Sequence, residues 1–338
     1  MDLHFRTLDL PLRVPFTIAR GTQSIADNVA VRLTSGDHTG LGEAAPSEHY
    51  GELQTTVLAF LERLRDQLAP FDTLPISTLH RSMNGVARLN PAAKAAVDLA
   101  AYDLLGKRLD APLYELLGLD PQDTPRTSFT IGIDTPEIMA RKAADAREYP
   151  ILKVKVGTAN DEENLEAIRA ERPDAVIRVD ANEAWTPKQA VERIEQLSLY
   201  DLEFVEQPVA GRDLAGLEYV ASAVALPIIA DESCIIPEDV PQVAPHVDGI
   251  NIKLMKCGGI YPALQMIHLA RAHHLLVMMG CMLESSIAIT AAAHLSPLID
   301  YADLDGNLLI DNDPYQGVRV EVGRLVLPQG PGLGLTPA

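Results

Sequence analysis

Five segments decide the fold: residues 151–157 (ILKVKVG), 175–182 (AVIRVDAN), 202–208 (LEFVEQP), 226–233 (LPIIADES) and 249–255 (GINIKLM). Each is a short apolar run that contains or ends at charged residues. Working outward, three further runs have the same character: residues 127–133 (TSFTIGI), 275–281 (LLVMMGC) and 301–306 (YADLDG). Short apolar runs rich in β-branched residues are typical of buried strands.

The eight runs recur about every 25 residues and are separated by helix-like stretches such as residues 161–172 (DEENLEAIRAER) and 186–198 (TPKQAVERIEQLS). This alternation is typical of βα units around a closed parallel sheet. We therefore predict an α/β fold with a modified TIM-like (β/α)8 barrel. In such barrels the chemistry takes place at the C-terminal ends of the strands, where the charged residues of these runs lie.

The flanking segments differ from the barrel. Residues 1–122 contain three strand-like runs followed by helix-like ones, which predicts an N-terminal α+β capping domain, with the barrel at 123–307. Asn90 and Pro91 are expected to supply the N-cap and the first-turn proline of one helix. The segment 308–338 is expected to form a hairpin that packs on the N-terminal domain and completes it.

Composition limits the function classes. The chain has 338 residues, 47% hydrophobic composition and a net charge of −19, which disfavours nucleic acid and anionic membranes as partners. A small-molecule substrate is expected. The N-terminus shows no basic and then apolar pattern, so we expect a cytoplasmic protein. Cys234, Cys257 and Cys281 show no metal or disulfide spacing and are expected to be reduced.

Three single acids follow consecutive apolar runs: Asp180, Glu206 and Asp231. Each alone would more often be solvated or salt-bridged, but three in successive repeats favour a shared divalent cation. Carboxylate oxygens suit Mg²⁺, and also Mn²⁺. Asn182 and Glu232 are candidates for orienting these ligands, although either could be a helix cap.

Three lysines flank the acids. Lys153 and Lys155 point to the same side of one strand because side chains alternate along it, and Lys253 ends a run on the far side of the predicted barrel. Like charges and a nearby cation are expected to lower the pKa of at least one of the paired lysines, so that it can act as a base. A carbon acid held between Lys155 and Lys253 would have one lysine on each face, which suits racemisation or epimerisation.

With these residues in place, the whole chain resembles the enolase superfamily, and within it the muconate lactonising subgroup. The motifs KVK, VDAN, VEQP, ADES and INIKLMKCGG occur in the order typical of that subgroup. The resemblance implies that Asp180, Glu206 and Asp231 bind Mg²⁺ and that Lys155 and Lys253 are the acid/base pair. It also implies that Lys153 stabilises the enolate.

Two further features refine the resemblance. Dipeptide epimerases of this subgroup carry an Asp-x-Asp pair, like Asp303 and Asp305, at the end of the eighth strand. There the pair binds the α-ammonium group of the dipeptide. The segment around Arg20 (FTIARGTQS) is similar to the loop that pairs with the glutamyl carboxylate in L-Ala-D/L-Glu epimerases, and a guanidinium suits that contact. Tyr50 is expected on a second capping loop as a substrate contact, or as a packing residue.

The resemblance thus implies a dipeptide epimerase, with L-Ala-D/L-Glu in murein peptide metabolism as the preferred substrate. Another dipeptide specificity, a cycloisomerase and an o-succinylbenzoate synthase are the alternatives within the subgroup. A metal-dependent binding protein and a Schiff-base aldolase are alternatives outside it, and the aldolase leaves the three carboxylates unexplained. The residue pattern leaves self-association into a homo-oligomer open.

Overall fold

The structure is a computed structural model that describes all 338 residues. It begins with an antiparallel sheet of three strands in the order β1 (Asp2–Ile18), β2 (Gly21–Ser35), β3 (His38–Ala44). Four helices follow: α1 (Gln54–Leu68), α2 (Ile76–Val86), α3 (Pro91–Leu109) and α4 (Leu113–Leu116). This is the α+β arrangement expected for the first part of the chain.

Helix α3 packs unusually close to strand β3, because two glycines of the strand face it. A Cβ atom on Gly40 or Gly42 would lie 1.9 Å from the carbonyl oxygen of Ala100 or Ala96, so only glycine fits there. The start of α3 differs from the expectation. Asn90 and Pro91 do occupy the predicted N-cap and first-turn positions, but Asn90 has a left-handed backbone (φ 69°) and its side chain makes no capping hydrogen bond. The carboxylate of Glu52 accepts the N–H groups of the first turn instead.

Eight parallel strands form the second sheet, in chain order: β4 (Phe129–Ile131), β5 (Ile151–Lys155), β6 (Val176–Asp180), β7 (Leu202–Glu206), β8 (Ile228–Ala230), β9 (Gly249–Lys253), β10 (Leu276–Gly280) and β11 (Tyr301–Ala302). All eight predicted runs contain one of them. The sheet curls until the segment before β4 reaches β11, where Thr127 bridges Ala302 and the Ser128 N–H donates to the Ala302 carbonyl at 3.1 Å. The predicted barrel is confirmed.

The connections between these strands contain eight helices: α5 (Pro136–Asp145), α6 (Asp161–Glu171), α7 (Pro187–Leu197), α8 (Leu214–Ala223), α9 (Val240–Val243), α10 (Leu254–Cys257), α11 (Ile260–Ala272) and α12 (Ser286–Ala293). The barrel is modified at its last unit, because only a 3₁₀ turn follows β11. None of the helices combines the length and the apolar character that a membrane crossing requires.

The C-terminal segment adds four short strands: β12 (Tyr315–Gln316), β13 (Arg319–Glu321), β14 (Arg324–Val326) and β15 (Thr336–Pro337). β13 and β14 form the expected hairpin. The hairpin does not pack on the N-terminal domain as expected, because Arg324 bridges Arg126 in the segment that leads into β4. The flanking residues are the ones that contact the first part of the chain: Leu12 bridges Ile310, and the Leu113 N–H donates to Gly332.

Candidate active site

A cavity of about 910 Å³ lies between the C-terminal ends of the barrel strands and the loops of the N-terminal sheet. Eight of the residues singled out in the sequence line it: Arg20, Tyr50, Lys153, Lys155, Asn182, Lys253, Asp303 and Asp305. The other four, Asp180, Glu206, Asp231 and Glu232, are buried beside them. The twelve residues come from both parts of the chain and meet in one place.

The three carboxylates meet because their strands are neighbours in register. Asp180 ends β6 and pairs with Glu206 at the end of β7, and Asp231 follows β8 directly. All three are fully buried, and their ligand oxygens lie within 4.8 Å of one another. The cluster offers only hard oxygen donors, without cysteine or histidine, which suits Mg²⁺ or Mn²⁺. The residues therefore fit a divalent cation.

The lysines surround this cluster. Lys155 ends β5 and Lys253 ends β9, four strands away in a sheet of eight, so the two lie on opposite sides of the barrel mouth. Each Nζ is 2.7 Å from a different carboxylate, Asp180 for Lys155 and Asp231 for Lys253. A molecule held over the cluster would have one lysine on each side.

Lys153 is the most enclosed of the three lysines. Its Nζ lies 2.7 Å from Glu206, 2.7 Å from Asp303 and 3.2 Å from Asp180. Burial alone would lower its pKa, but these three carboxylates raise the pKa well above the ordinary lysine value. Lys153 is therefore a fixed positive charge at the centre of the site.

Lys153 is therefore not the lysine of lowered pKa expected in the pair, since the surrounding carboxylates raise its pKa. For Lys253, burial lowers the pKa, but Asp231 together with Glu206 and Glu232 raises it above the ordinary lysine value. Among the carboxylates, burial and the negative charge of Asp180 raise the pKa of Glu206 to about 7. A divalent cation among the acids would offset the negative charge that holds the lysine protons.

Two functional candidates were missed in the sequence. The Nζ of Lys256, fully buried, lies 2.5 Å from Oδ1 and 2.6 Å from the backbone oxygen of Asp231, and also donates to the Cys234 and Asn251 carbonyls. The side chain of Asn251 donates to Glu206 at 2.8 Å. A signal existed for Lys256, because a lysine three residues after Lys253 in an otherwise apolar segment requires a buried partner.

The two aspartates after β11 both face the cavity. Asp303 accepts from Ser128 Oγ at 2.6 Å as well as from Lys153, and Asp305 accepts from the Thr130 N–H at 2.6 Å. Burial and the charge of Asp303 raise the pKa of Asp305 to about 7, while Lys153 overcomes the burial effect at Asp303 and lowers its pKa. Asp303 is thus already paired with Lys153, and a cationic group beside the buried Asp305 would favour the ionised form of that carboxyl.

Arg20 lies in the turn between β1 and β2 and reaches into the barrel. Its Nη1 is 2.8 Å from Glu232, 3.0 Å from the Asn182 carbonyl and 3.1 Å from Glu183. Tyr50 ends a short 3₁₀ helix on the second loop and also lines the cavity. The side-chain Nδ2 of Asn182 lies 3.5 Å from Glu232, and the backbone N–H of Asn182 donates to the Asp180 carboxylate at 2.9 Å.

Comparison with known proteins places this site in a family. Residues 2–118 match the N-terminal domain of the mandelate racemase / muconate lactonizing enzyme family, and residues 138–338 match the enolase C-terminal domain-like model.

Two relatives and one solved structure are similar over nearly the whole chain. The L-Ala-D/L-Glu epimerase of Bacteroides thetaiotaomicron is 40% identical, over 99% of this chain and 88% of the relative. The hydrophobic dipeptide epimerase of Enterococcus faecalis is 41% identical, over 99% of both chains. A crystal structure of the dipeptide epimerase from Enterococcus faecalis V583, complexed with Mg and L-Leu-L-Tyr, has 40% identity and a TM-score of 0.92, over 99% of both chains. The chain belongs to the mandelate racemase / muconate lactonizing enzyme family of the enolase superfamily, among relatives that are dipeptide epimerases.

Proposed function

We propose that the protein is a dipeptide epimerase that inverts the α-carbon of the C-terminal residue of its substrate. The observation that carries this proposal is the placement of Lys155 and Lys253 on opposite sides of the carboxylate cluster. Inversion requires a base on one face of a carbon and an acid on the other. The names of the relatives support the same reaction.

Asp180, Glu206 and Asp231 would hold the Mg²⁺, with Mn²⁺ as an alternative. Bound there, the cation supplies positive charge that stabilises the enediolate form of the substrate carboxylate. Lys153, held at the centre of the cluster by Glu206 and Asp303, adds a second fixed positive charge. Asn182 and Glu232 are proposed to orient this group of ligands through their contacts with each other and with Asp180.

In the proposed reaction, the Nζ of one lysine removes the α-proton, and the electrons of the broken C–H bond move into the carboxylate. The other lysine, in its ammonium form, then donates a proton to the opposite face of the same carbon. Lys155 and Lys253 exchange these roles when the opposite enantiomer reacts. No atom is gained or lost, so the reaction needs no further reactant.

Asp303 and Asp305 are proposed to bind the α-ammonium group of the dipeptide. Both acids are buried at the cavity wall and are held in place by Ser128 and Thr130. A charge-assisted contact of this kind positions the peptide so that its C-terminal α-carbon lies between the lysines. Residues 123–307 thus supply the chemistry, while residues 1–122, completed by 308–338, supply Arg20 and Tyr50.

We propose L-Ala-D/L-Glu as the preferred substrate, in murein peptide metabolism. Arg20 supports this, because all its contacts use Nη1, and the structure gives Nε and Nη2 no hydrogen-bond partner. These donors are available to a glutamyl carboxylate. Specificity for apolar or cationic dipeptides is the alternative, since a relative of similar identity is a hydrophobic dipeptide epimerase.

The test is proton NMR of L-Ala-L-Glu with the protein and Mg²⁺ in D₂O, beside a panel of L-Ala-L-Xaa and L-Lys-containing dipeptides. Deuteration at the glutamyl α-carbon with appearance of L-Ala-D-Glu is the expected result. Exchange only with apolar or cationic dipeptides would keep the epimerase and discard the role of Arg20. No exchange with any dipeptide would contradict the proposal.

A further inference from the structure

Arg20, in the turn between β1 and β2, is already held by two carboxylates. Glu232 lies 2.8 Å and Glu183 3.1 Å from the same Nη1 atom. With His49 neutral, this group has a formal charge of −1. A second acid placed beside it, such as the side chain of a glutamyl substrate, would meet Arg20 but also these two carboxylates.

Glu183 is held in that position by the backbone. Its residue has a left-handed conformation (φ 68°), its N–H donates to the Gln207 carbonyl at 2.9 Å, and its Oε1 accepts from the Gly211 N–H at 2.6 Å. The other oxygen, Oε2, faces Arg20 and lies 3.2 Å from Nε2 of His49. A non-glycine residue in this conformation is uncommon and persists only when its surroundings require it.

We infer that Glu183 sets the specificity of the site by reducing the preference of Arg20 for acidic C-terminal residues. The inference rests on the proposed function and deepens it. The negative charge of Glu183 lies on the guanidinium that would receive the substrate side chain, so it opposes binding of a carboxylate and leaves binding of a neutral amide of the same shape almost unchanged. Glu183 acts through Arg20 and contacts no reacting atom.

The experiment compares L-Ala-L-Glu with the isosteric L-Ala-L-Gln in the wild-type protein and in Glu183→Gln, with Mg²⁺ and at low salt. Glutamine keeps one acceptor oxygen for the Gly211 N–H, and it removes the charge together with the acceptor that faces Arg20. We expect the ratio of kcat/KM for Glu over Gln to rise by about tenfold. The change should lie in KM. The side-chain carboxylate of the substrate takes no part in the proton transfer, so its contact with Arg20 is the same in the ground and transition states.

Two further variants sharpen the comparison. Glu183→Asp keeps the charge but withdraws it by one methylene, so a smaller rise is expected. Glu218→Gln, an exposed glutamate on α8 paired with His246, removes the same charge far from the cavity and should leave the ratio unchanged. High salt should reduce the effect of Glu183→Gln only in part, since the Arg20 and Glu183 side chains are half-buried and such pairs are screened less than exposed ones.

The outcomes separate the two proposals. An unchanged or lower Glu/Gln ratio in Glu183→Gln, with epimerisation retained, overturns the inference and leaves the epimerase intact. Absence of α-proton exchange with every dipeptide, in the wild-type protein as well, overturns the proposed function and the inference with it.

Discussion

At the residue scale, the contact set of Lys256 is the clearest case of a side chain that acts through another. It donates to both the carboxylate and the backbone of Asp231 and is fully buried. Lys256→Met should weaken Mg²⁺ or Mn²⁺ binding by about 10- to 100-fold, because Asp231 loses the group that orients it. It should also lower the free energy of unfolding by about 3–5 kcal/mol, since a buried acid loses a partner.

Mn²⁺ binding followed by electron paramagnetic resonance measures the first effect, and urea unfolding measures the second. Lys188→Met on α7 is the control for removing a lysine from the surface of the barrel. Metal affinity equal to that of the wild type in a folded Lys256→Met protein would show that Asp231 needs no such support.

Asp303 allows a second prediction at this scale. If it binds the α-ammonium, Asp303→Asn should lower kcat/KM for L-Ala-L-Glu by about 100-fold or more, because a buried charge pair loses one member. A substrate of a cycloisomerase or an o-succinylbenzoate synthase has no ammonium group. If steady-state kinetics show that Asp303→Asn retains nearly the wild-type activity on such a substrate, the result would favour those alternatives over a dipeptide epimerase.

At the element scale, the start of α3 depends on a residue of another segment. Glu52 accepts the Ala92 and Ala93 N–H groups at 2.8 and 3.1 Å and is only 2% exposed. Glu52→Ala should lower the free energy of unfolding by about 1–2 kcal/mol, as loss of a helix cap does. Urea unfolding measures this. Glu62→Ala, on the exposed face of α1, should change it by less than about 0.5 kcal/mol, and equal effects would contradict the capping role.

At the scale of the whole molecule, His294 joins three parts of the chain. Its Nδ1 accepts from the Tyr114 N–H at 3.2 Å and its Nε2 lies 3.3 Å from the Leu333 carbonyl, at the end of barrel helix α12. Burial lowers its pKa to about 4. An unfolded histidine titrates near 6.5, so the unfolded chain takes up this proton first as pH falls. The stabilisation is complete above pH 6.5 and is lost between about 6.5 and 4.

His294→Gln keeps a donor and an acceptor but does not titrate. Between pH 7 and 4.5, its free energy of unfolding should fall less than that of the wild type, by roughly 2–3 kcal/mol. Urea unfolding at several pH values measures the difference, with exposed His273→Gln as control. Identical pH dependence in wild type and His294→Gln would mean that the histidine is not held neutral.

The barrel and the line of acids at its mouth could be predicted from the sequence, because both depend on local rules. Alternation along a strand places Lys153 and Lys155 on one side, and the repeat places Asp180, Glu206 and Asp231 at successive strand ends. Parallel strands in register then bring these ends together without further information.

Only the tertiary structure decided which charges pair. Arg20 meets Glu183 across 163 residues, and the carboxylate of Glu52, not the side chain of Asn90, accepts the first N–H groups of α3. The pKa of Lys153 likewise depends on Asp303, 150 residues away, more than on its neighbour Lys155. The physical reason is that electrostatic energies depend on distances of a few ångströms between side chains, and closure of the barrel and docking of the N-terminal loops set those distances.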